Sequence, residues 1–200
     1  MTDLPAGIRH VDCRSRDRPN AYVVVRNGEV TLVDAGWPAD EATVRETLAA
    51  SGVGPADVDR VLLTHYDVDH VGSLAGLTPA LDAPVYVHPA DAPYVAGERQ
   101  PPWTARLPFG PIHRLLYRRL DLPDLPLHHA EDGDAVGGFR AYHTPGHTPG
   151  HLVYVHEDLD AVFLGDLAIR IGDSLRPADR FTSYDAGEAR VSIRSLLDRL

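Results

Sequence analysis

The chain contains no lysine, so all 19 of its basic residues are arginine. This absence excludes a Schiff base or a nucleophile supplied by a lysine side chain. Cysteine is nearly absent as well: Cys13 stands alone and is expected to be a small buried side chain. A single cysteine excludes an intramolecular disulfide and a cysteine-based metal cluster, and it is typical of a reducing compartment. Any catalytic chemistry must therefore come from other residue types.

Targeting and membrane signals are missing too. Residues 1–7 lack the basic and apolar regions of a signal peptide, and no apolar run approaches the length of a membrane span. We therefore expect a cytoplasmic protein that has no membrane partner. The formal net charge of −10 disfavours nucleic acid as a partner, because its phosphates would be repelled. The oligomeric state stays open.

The length and composition predict one α/β domain over residues 1–200. With 200 residues, of which 44% are hydrophobic, the chain suffices for one sizeable core. Asn27-Gly28 is a strong hairpin signal between the first two strands. The predicted strands cover residues 21–26, 30–34, 60–64, 84–88, 135–143, 152–156 and 161–165, and the predicted helices cover 41–50, 70–77 and 188–200.

Residues 89–131 differ in composition from the rest, and we interpret them as an inserted segment. Prolines stand at positions 101 and 102, with the aromatic residues Trp103 and Phe109 nearby. Residues 112–120 combine arginine with apolar residues at helical spacing. Two interpretations stay open for this stretch: an amphipathic helix packed on the body, or a lid that borders the substrate pocket.

Imidazoles and carboxylates concentrate in three short motifs: Thr-His-Tyr-Asp-Val-Asp-His at 64–70, Thr-Pro-Gly-His-Thr-Pro-Gly-His at 144–151, and Leu-Gly-Asp at 164–166. A divalent cation requires imidazoles and carboxylates within about 2.0–2.2 Å of it. Alternate residues of an extended loop share a face, so His65, Asp67 and Asp69 can converge, with His70 beside them. The first motif alone also fits solvated residues at a helix start, with Asp69 as the N-cap. The three motifs together predict a metal site.

These motifs, in this order, resemble those of the metallo-β-lactamase superfamily. The resemblance extends to Asn-Ala-Tyr-Val-Val-Val at 20–25 and Leu-Val-Asp-Ala-Gly at 32–36, and it covers nearly the whole chain except 89–131. It implies a four-layer αββα sandwich of two mixed β-sheets, with a one- or two-metal site on their shared edge. It also implies a hydrolase whose metal-bound hydroxide attacks a small ester, lactone or thioester, as in glyoxalase II-like and lactonase-like relatives.

The resemblance gives each motif residue a role. His65 and His147 would bind the first metal, and Asp69 and His70 the second. Asp166 would bridge the two ions, and Asp69 would also accept a proton from the attacking water. Zinc is the first candidate for the one or two divalent ions, with manganese or iron as alternatives.

Three further residues are implied as supporting ones. Asp34 corresponds to a buried carboxylate that supports the site without binding metal, although a turn-forming Asp before Gly36 is an equal alternative. His151 is implied to be structural. His143 is interpreted as a residue that supports the metal ligands.

The chain departs from the family pattern at two places. The usual motif is His-x-His-x-Asp-His, and Asp67 stands where its second His is expected. Aspartate can bind zinc, so we count Asp67 among the metal ligands. With a third carboxylate and one hydroxide, a two-ion site becomes formally neutral, one positive charge fewer than usual. We therefore expect weaker activation of water and a relative preference for manganese or iron.

The second departure concerns the C-terminal end. The family usually places a last metal-binding His shortly after a helix that resembles residues 188–200, and the sequence ends at Leu200. The resemblance then implies either a truncated end or a second ion with an open coordination position.

Two other functions stay open on the sequence alone. His65, His147 and Asp166 form a two-His, one-carboxylate set, which is typical of mononuclear non-haem iron oxygenases, and persulfide dioxygenases resemble this superfamily. Alternatively, Asp67 and the missing last His indicate a metal-impaired, non-catalytic binding module.

Overall fold

Two β-sheets form the middle of the molecule in the computed structural model, which describes residues 4–13, 21–102, 104–106, 108–171, 174–178 and 181–200. The first sheet has six strands in chain order: β1 Ile8–Val11, β2 Ala21–Arg26, β3 Glu29–Val33, β4 Arg60–Leu62, β5 Val85–Val87 and β6 Leu127–His129. β1 to β3 are antiparallel neighbours, whereas β3 to β6 are parallel, so this sheet is mixed.

The second sheet has the order β10-β9-β8-β7 and is antiparallel among its described strands. Its strands are β7 Ala135–Val136, β8 Phe139–His143, β9 Leu152–His156 and β10 Ala161–Phe163. A separate hairpin follows, made of β11 Ala168–Ile171 and β12 Ser174–Pro177. The first sheet is mixed, as expected, whereas the described strands of the second sheet are all antiparallel. Strands β7, β8 and β9 each pair with the strand that follows in the chain.

Six α-helices accompany the sheets in the described part of the chain: α1 Glu41–Ala50, α2 Val68–Val71, α3 Leu74–Leu77, α4 Ala92–Val95, α5 Gly110–Tyr117 and α6 Ala186–Leu197. The predicted helix at 70–77 is therefore two short helices. The predicted strand at 135–143 is interrupted at Gly137 and Gly138, whose φ angles of +54° and +82° turn the chain into the β7–β8 hairpin.

Three apolar clusters define four layers. β9 shows the arrangement most clearly, since all five of its residues are buried and successive side chains point to opposite faces. Tyr154 packs into a cluster with Val24 and Leu62 of the first sheet, so this cluster lies between the sheets. Val155 packs on the other face with Leu196 of α6. On the far face of the first sheet, a third cluster includes Val44 of α1, which completes the order helix, sheet, sheet, helix.

The 89–131 segment packs on the body and adds a strand to the first sheet. Tyr117 of α5 is buried, and its hydroxyl donates to the backbone oxygen of Tyr94. β6, near the end of the segment, pairs with β5. Phe109, which directly precedes α5, is by contrast 52% exposed, so the start of the helix faces solvent. The structure therefore supports the packed interpretation of α5, while its part in a lid stays a prediction.

Some predictions fall on residues that the structure does not describe. Asn20 and Trp103 lie outside the described residues, so their expected places in the 20–25 motif and the insert are untested. Across the described ranges, no helix combines the length and apolarity that crossing a membrane requires.

Candidate metal centre

The metal motifs meet where strands of both sheets end. β3 leads into Asp34, β4 into residues 63–70, the loop 144–151 joins β8 to β9, and residues 164–167 follow β10. The backbone N–H of Leu152 donates to the backbone oxygen of Thr64 at 2.7 Å, which ties the two sheets together at this edge. Chain segments far apart in sequence therefore bring their imidazoles and carboxylates to one place.

Asp34 holds two of the imidazoles through its carboxylate. It is 1% exposed, and its Oδ2 lies 2.9 Å from Nδ1 of His70 and accepts from the hydroxyl of Thr64 at 2.7 Å. Since that hydroxyl hydrogen is used, Thr64 Oγ1 accepts from Nδ1 of His65, 2.9 Å away. Both imidazoles thus carry their proton on Nδ1 and turn Nε2 toward the centre. This arrangement favours a supporting role for Asp34 over a simple turn.

His65, Asp67 and His147 form the first group of potential ligands. The Nε2 atoms of His65 and His147 are 3.2 Å apart, and Asp67 Oδ2 lies 3.0 Å from His147 Nε2 and 3.4 Å from His65 Nε2. All three residues are buried. Their ligand atoms lie within 4.8 Å of one another, which is the spacing expected of donors around one ion.

His65, His70 and Asp166 form the second group, and it shares His65 with the first. Asp166 lies between the groups, since its Oδ1 is 3.3 Å from His70 Nε2 and its Oδ2 is 3.6 Å from His147 Nε2. With the His70 proton on Nδ1, the buried Nε2 faces the Asp166 carboxylate and has no donor to accept from among the described residues. Such a nitrogen is costly to bury unless it binds something. The donor set and this nitrogen therefore fit a divalent cation.

Asp69 belongs to neither group. It is partly buried at the start of α2. The pKa of Asp69 is raised to about 6: burial is the main cause, His70 opposes it, and the nearby carboxylates of Asp166 and Asp67 add to it. A carboxyl group with such a pKa exchanges protons near neutral pH. Its predicted roles as ligand and proton acceptor stay predictions.

Three further groups have pKa values that suit metal binding, whereas Asp34 and Asp166 raise the pKa of His70 well above its usual range despite its burial, so His70 must lose a proton when an ion binds. Burial, with His70 nearby, lowers the pKa of His65 to about 4, so this imidazole is neutral at pH 7. Although burial opposes it, Arg106 holds the pKa of Asp67 well below its usual range, and His70 does the same for Asp166. The two carboxylates are therefore ionised at neutral pH.

Of the two remaining predicted residues, His151 lies beside the metal centre and His143 lies away from it. His151 Nδ1 lies 2.9 Å from Thr144 Oγ1, and its Nε2 accepts the backbone N–H of Asp166 at 3.2 Å. His151 therefore holds the backbone of Asp166, and the structural role implied for it stays a prediction. His143 instead stacks on His88, with ring centroids 3.9 Å apart, and its Nε2 lies 2.9 Å from the backbone oxygen of Pro149.

Two residues of the insert reach Asp67 and were not predicted. Arg106 Nη1 donates to Asp67 Oδ2 at 2.6 Å, and His113 Nε2 lies 3.1 Å from Asp67 Oδ1. These contacts span 39 and 46 positions of sequence. The signal available in the sequence was an acidic residue in place of an imidazole, which indicates a cationic partner somewhere in the chain.

Known proteins share both the motifs and the fold. The model of the metallo-beta-lactamase superfamily matches residues 14–200, and the chain belongs to this superfamily. The probable metallo-hydrolase YybB of Bacillus subtilis is 28% identical over 184 residues, which cover 90% of this chain and 76% of YybB. The αββα fold predicted from the motifs is thereby confirmed.

Two further relatives are informative. The atrochrysone carboxyl ACP thioesterase of Passalora fulva is 29% identical over 189 residues, covering 90% of this chain but 45% of the thioesterase. The solved structure of TTHA1623 in a di-iron-bound form is 29% identical with a TM-score of 0.69, covering 98% of this chain and 86% of that one. The protein is accordingly a metal-dependent hydrolase of the metallo-beta-lactamase fold.

Proposed function

We propose that the protein hydrolyses a small ester, thioester or lactone at a centre of two divalent ions, with zinc as the first candidate. The observation that carries this proposal is the pair of three-residue donor groups that share His65. His65 has one free nitrogen and can bind one ion only, but Asp166 turns one carboxylate oxygen toward each group, and this favours two ions over one. The predicted cytoplasmic location is kept as part of the proposal, together with a single domain over residues 1–200.

The residues of the chain would divide the work as follows. His65, Asp67 and His147 would hold the first ion, and His70, Asp69 and Asp166 would hold or bridge to the second. When bound, such ions lower the pKa of water from about 15.7 towards 7 and polarise the scissile carbonyl.

Asp69 would take the proton released by the attacking water. The pKa of about 6 that burial gives its carboxyl group supports proton exchange near neutral pH. Asp34 would keep His65 and His70 in the tautomer that leaves Nε2 free.

The substrate class rests on two observations. An acyl-carrier thioesterase is among the relatives, although this chain covers only 45% of its length. The insert also brings the amphipathic helix α5 next to the centre through His113. Both favour an acyl compound over a phosphodiester, as does the net charge of −10.

The test is hydrolysis by metal-stripped protein before and after reconstitution with zinc, manganese or iron. The substrate panel holds aryl esters, acyl thioesters, lactones, a β-lactam and a phosphodiester. We expect thioester or ester cleavage to appear only with metal and to fall at least ~100-fold in His65→Ala, which removes an imidazole ligand from the centre. His10→Ala, an exposed imidazole on β1, is the matched control and should keep full activity.

Three results would overturn the proposal. Hydrolysis that survives chelation would exclude the metal centre as its source. One iron per chain with oxygen consumption on glutathione persulfide would reassign the reaction to an oxygenase. Folded protein that binds no ion would leave a non-catalytic module.

A further inference from the structure

Asp67 is contacted by two residues of the insert as well as by the first metal group. Arg106 Nη1 donates to Oδ2 at 2.6 Å, and His113 Nε2 lies 3.1 Å from Oδ1. The same Oδ2 faces His147 Nε2 at 3.0 Å. The Asp67 carboxylate therefore links the centre to the insert, although the insert lies outside all three metal motifs in the sequence.

Arg106 itself is anchored by more than Asp67. It is only 7% exposed, and its Nη2 donates to the backbone oxygen of His147 at 3.2 Å. Its guanidinium also lies over the ring of Tyr184, 5.2 Å from the centroid. Because guanidinium is planar, it donates to both groups from a fixed fork. Arg106 therefore bridges the two loops that carry His65, Asp67 and His147.

The chemistry at position 67 explains why an aspartate suits this arrangement. A carboxylate has about four lone-pair sites, so Asp67 can accept from Arg106 and still offer an oxygen to an ion. A neutral imidazole has one acceptor nitrogen and cannot serve both. Arg106 also adds one positive charge, which returns the net charge of a two-ion site to that expected for the usual motif with an imidazole at this position.

We propose that Asp67 and Arg106 act as one unit, in which the insert positions the carboxylate ligand of the first metal group through Arg106. Arg106 is thus a positioning residue. Its positive charge and its hydrogen bond explain why an aspartate, rather than a histidine, stands at position 67. The inference rests on the proposed metal centre. The weaker activation of water expected from Asp67 alone is offset by the guanidinium.

A double-mutant cycle on the full chain tests this unit. Zinc affinity of metal-stripped protein is measured by competition with a chromophoric chelator for wild type, Arg106→Gln, Asp67→His and the double variant. We expect each single variant to weaken the first ion ~10- to 100-fold. Asp67→His does so because the buried guanidinium loses its partner beside a cation. The double variant should bind within about threefold of wild type, because the imidazole introduced at position 67 then meets a neutral neighbour.

Arg114→Gln is the matched control. Arg114 also lies on the insert and donates to the backbone oxygen of Pro101 at 3.1 Å, but it has no contact with Asp67 among the described residues. We expect its zinc affinity to equal that of wild type. Should Arg106→Gln unfold, Arg106→Lys replaces it, because lysine keeps the charge and loses the fork. In the cobalt-substituted protein, Arg106→Lys should shift the visible absorption bands, whereas Arg114→Gln should not.

The outcomes separate this inference from the proposed function. A wild-type protein that binds no zinc contradicts the metal centre itself. Two ions in wild type with additive losses in the double variant contradict only the Asp67–Arg106 unit. Unchanged zinc affinity and unchanged cobalt bands in the Arg106 variants would also contradict the unit. The contact between Asp67 and Arg106 would then only attach the insert to the body of the protein.

Discussion

At the scale of single residues, Asp34 fixes the orientation and the tautomer of two potential metal ligands, His65 and His70. Its carboxylate accepts from Thr64 and faces His70, and Thr64 passes the constraint to His65. The resemblance at the Leu-Val-Asp-Ala-Gly motif implied a supporting carboxylate, with a turn-forming Asp as an equal alternative. The relay through Thr64 was not predicted, because a hydroxyl group beside a metal motif carries no distinctive pattern.

Asp34→Asn tests this relay. An amide has one acceptor oxygen and an NH2 group that only donates, so at least one of Thr64 and His70 loses its acceptor. We expect zinc affinity to fall ~10- to 100-fold. The control is Asp59→Asn, since Asp59 accepts the backbone N–H of Val30 at 2.7 Å away from the centre. Equal zinc affinities for the two variants would contradict the relay.

A second prediction at this scale concerns His88, which stacks on His143 outside the metal centre. Burial, with His143 and His129 nearby, lowers the pKa of His88 from 6.5 to about 4. The folded state thus binds fewer protons than the unfolded state between these values, so this contribution to stability is complete above about pH 6.5 and is lost as the pH falls towards 4.

The free energy of unfolding of His88→Gln should therefore depend less on pH between 6.5 and 4 than that of wild type. Chemical denaturation at a series of pH values measures this. His10→Gln serves as the exposed comparison and should follow wild type. A His88→Gln curve parallel to wild type over the whole range would refute the assignment.

At the scale of elements, α6 seals the loop that carries His147. The backbone N–H of Asp185 donates to the backbone oxygen of Gly146 at 2.9 Å, and that of Tyr184 donates to the backbone oxygen of His147 at 3.1 Å. Asp185 then caps the helix through the backbone N–H groups of Gly187 and Glu188. The amphipathic pattern of the terminal helix was predictable, but its contact with the metal loop depends on long-range packing.

Gly146→Ala should disturb this contact. Gly146 has a φ of +129°, and a Cβ there would lie 2.6 Å from Ala189 Cα. Gly28→Ala is the matched control, because Gly28 has a φ of +84° with open space around it. Both variants should lose ~1–2 kcal/mol from backbone strain.

Gly146→Ala should lose about 1–3 kcal/mol more from overpacking. Its zinc affinity should fall as well, because His147 follows directly. Denaturant unfolding and zinc competition check both expectations. Equal losses of stability in the two glycine variants would show that α6 is not closely packed against the loop that carries His147.

The elements that the sequence did not predict share a cause. β1 has the burial pattern buried, exposed, exposed, buried, which lacks the alternation of a half-buried strand. β6 lies within the proline-rich insert and is only three residues long. Such short strands form because a neighbouring strand offers hydrogen bonds, and that neighbour is not visible in the local sequence.

At the scale of the whole molecule, the four layers were predicted only through the resemblance of the motifs, and the burial of the strands explains them in physical terms. Successive residues of β9 enter different clusters, which requires a sheet buried on both faces and hence the αββα order. The three metal motifs were predictable as one centre, since each follows a strand. The approach of Arg106 and His113 was not, because the path of the insert depends on its packing against the body.

Counting the ions bound per chain tests the two-ion centre most directly. Metal-stripped wild type, His65→Ala and His10→Ala are reconstituted with zinc, desalted and analysed by inductively coupled plasma mass spectrometry. Circular dichroism confirms that each protein is folded. We expect two ions per chain in wild type and His10→Ala, and about one fewer in His65→Ala, because the single free nitrogen of His65 can bind only one ion. Folded wild type without zinc, or His65→Ala with an unchanged zinc content, would contradict the two-ion centre.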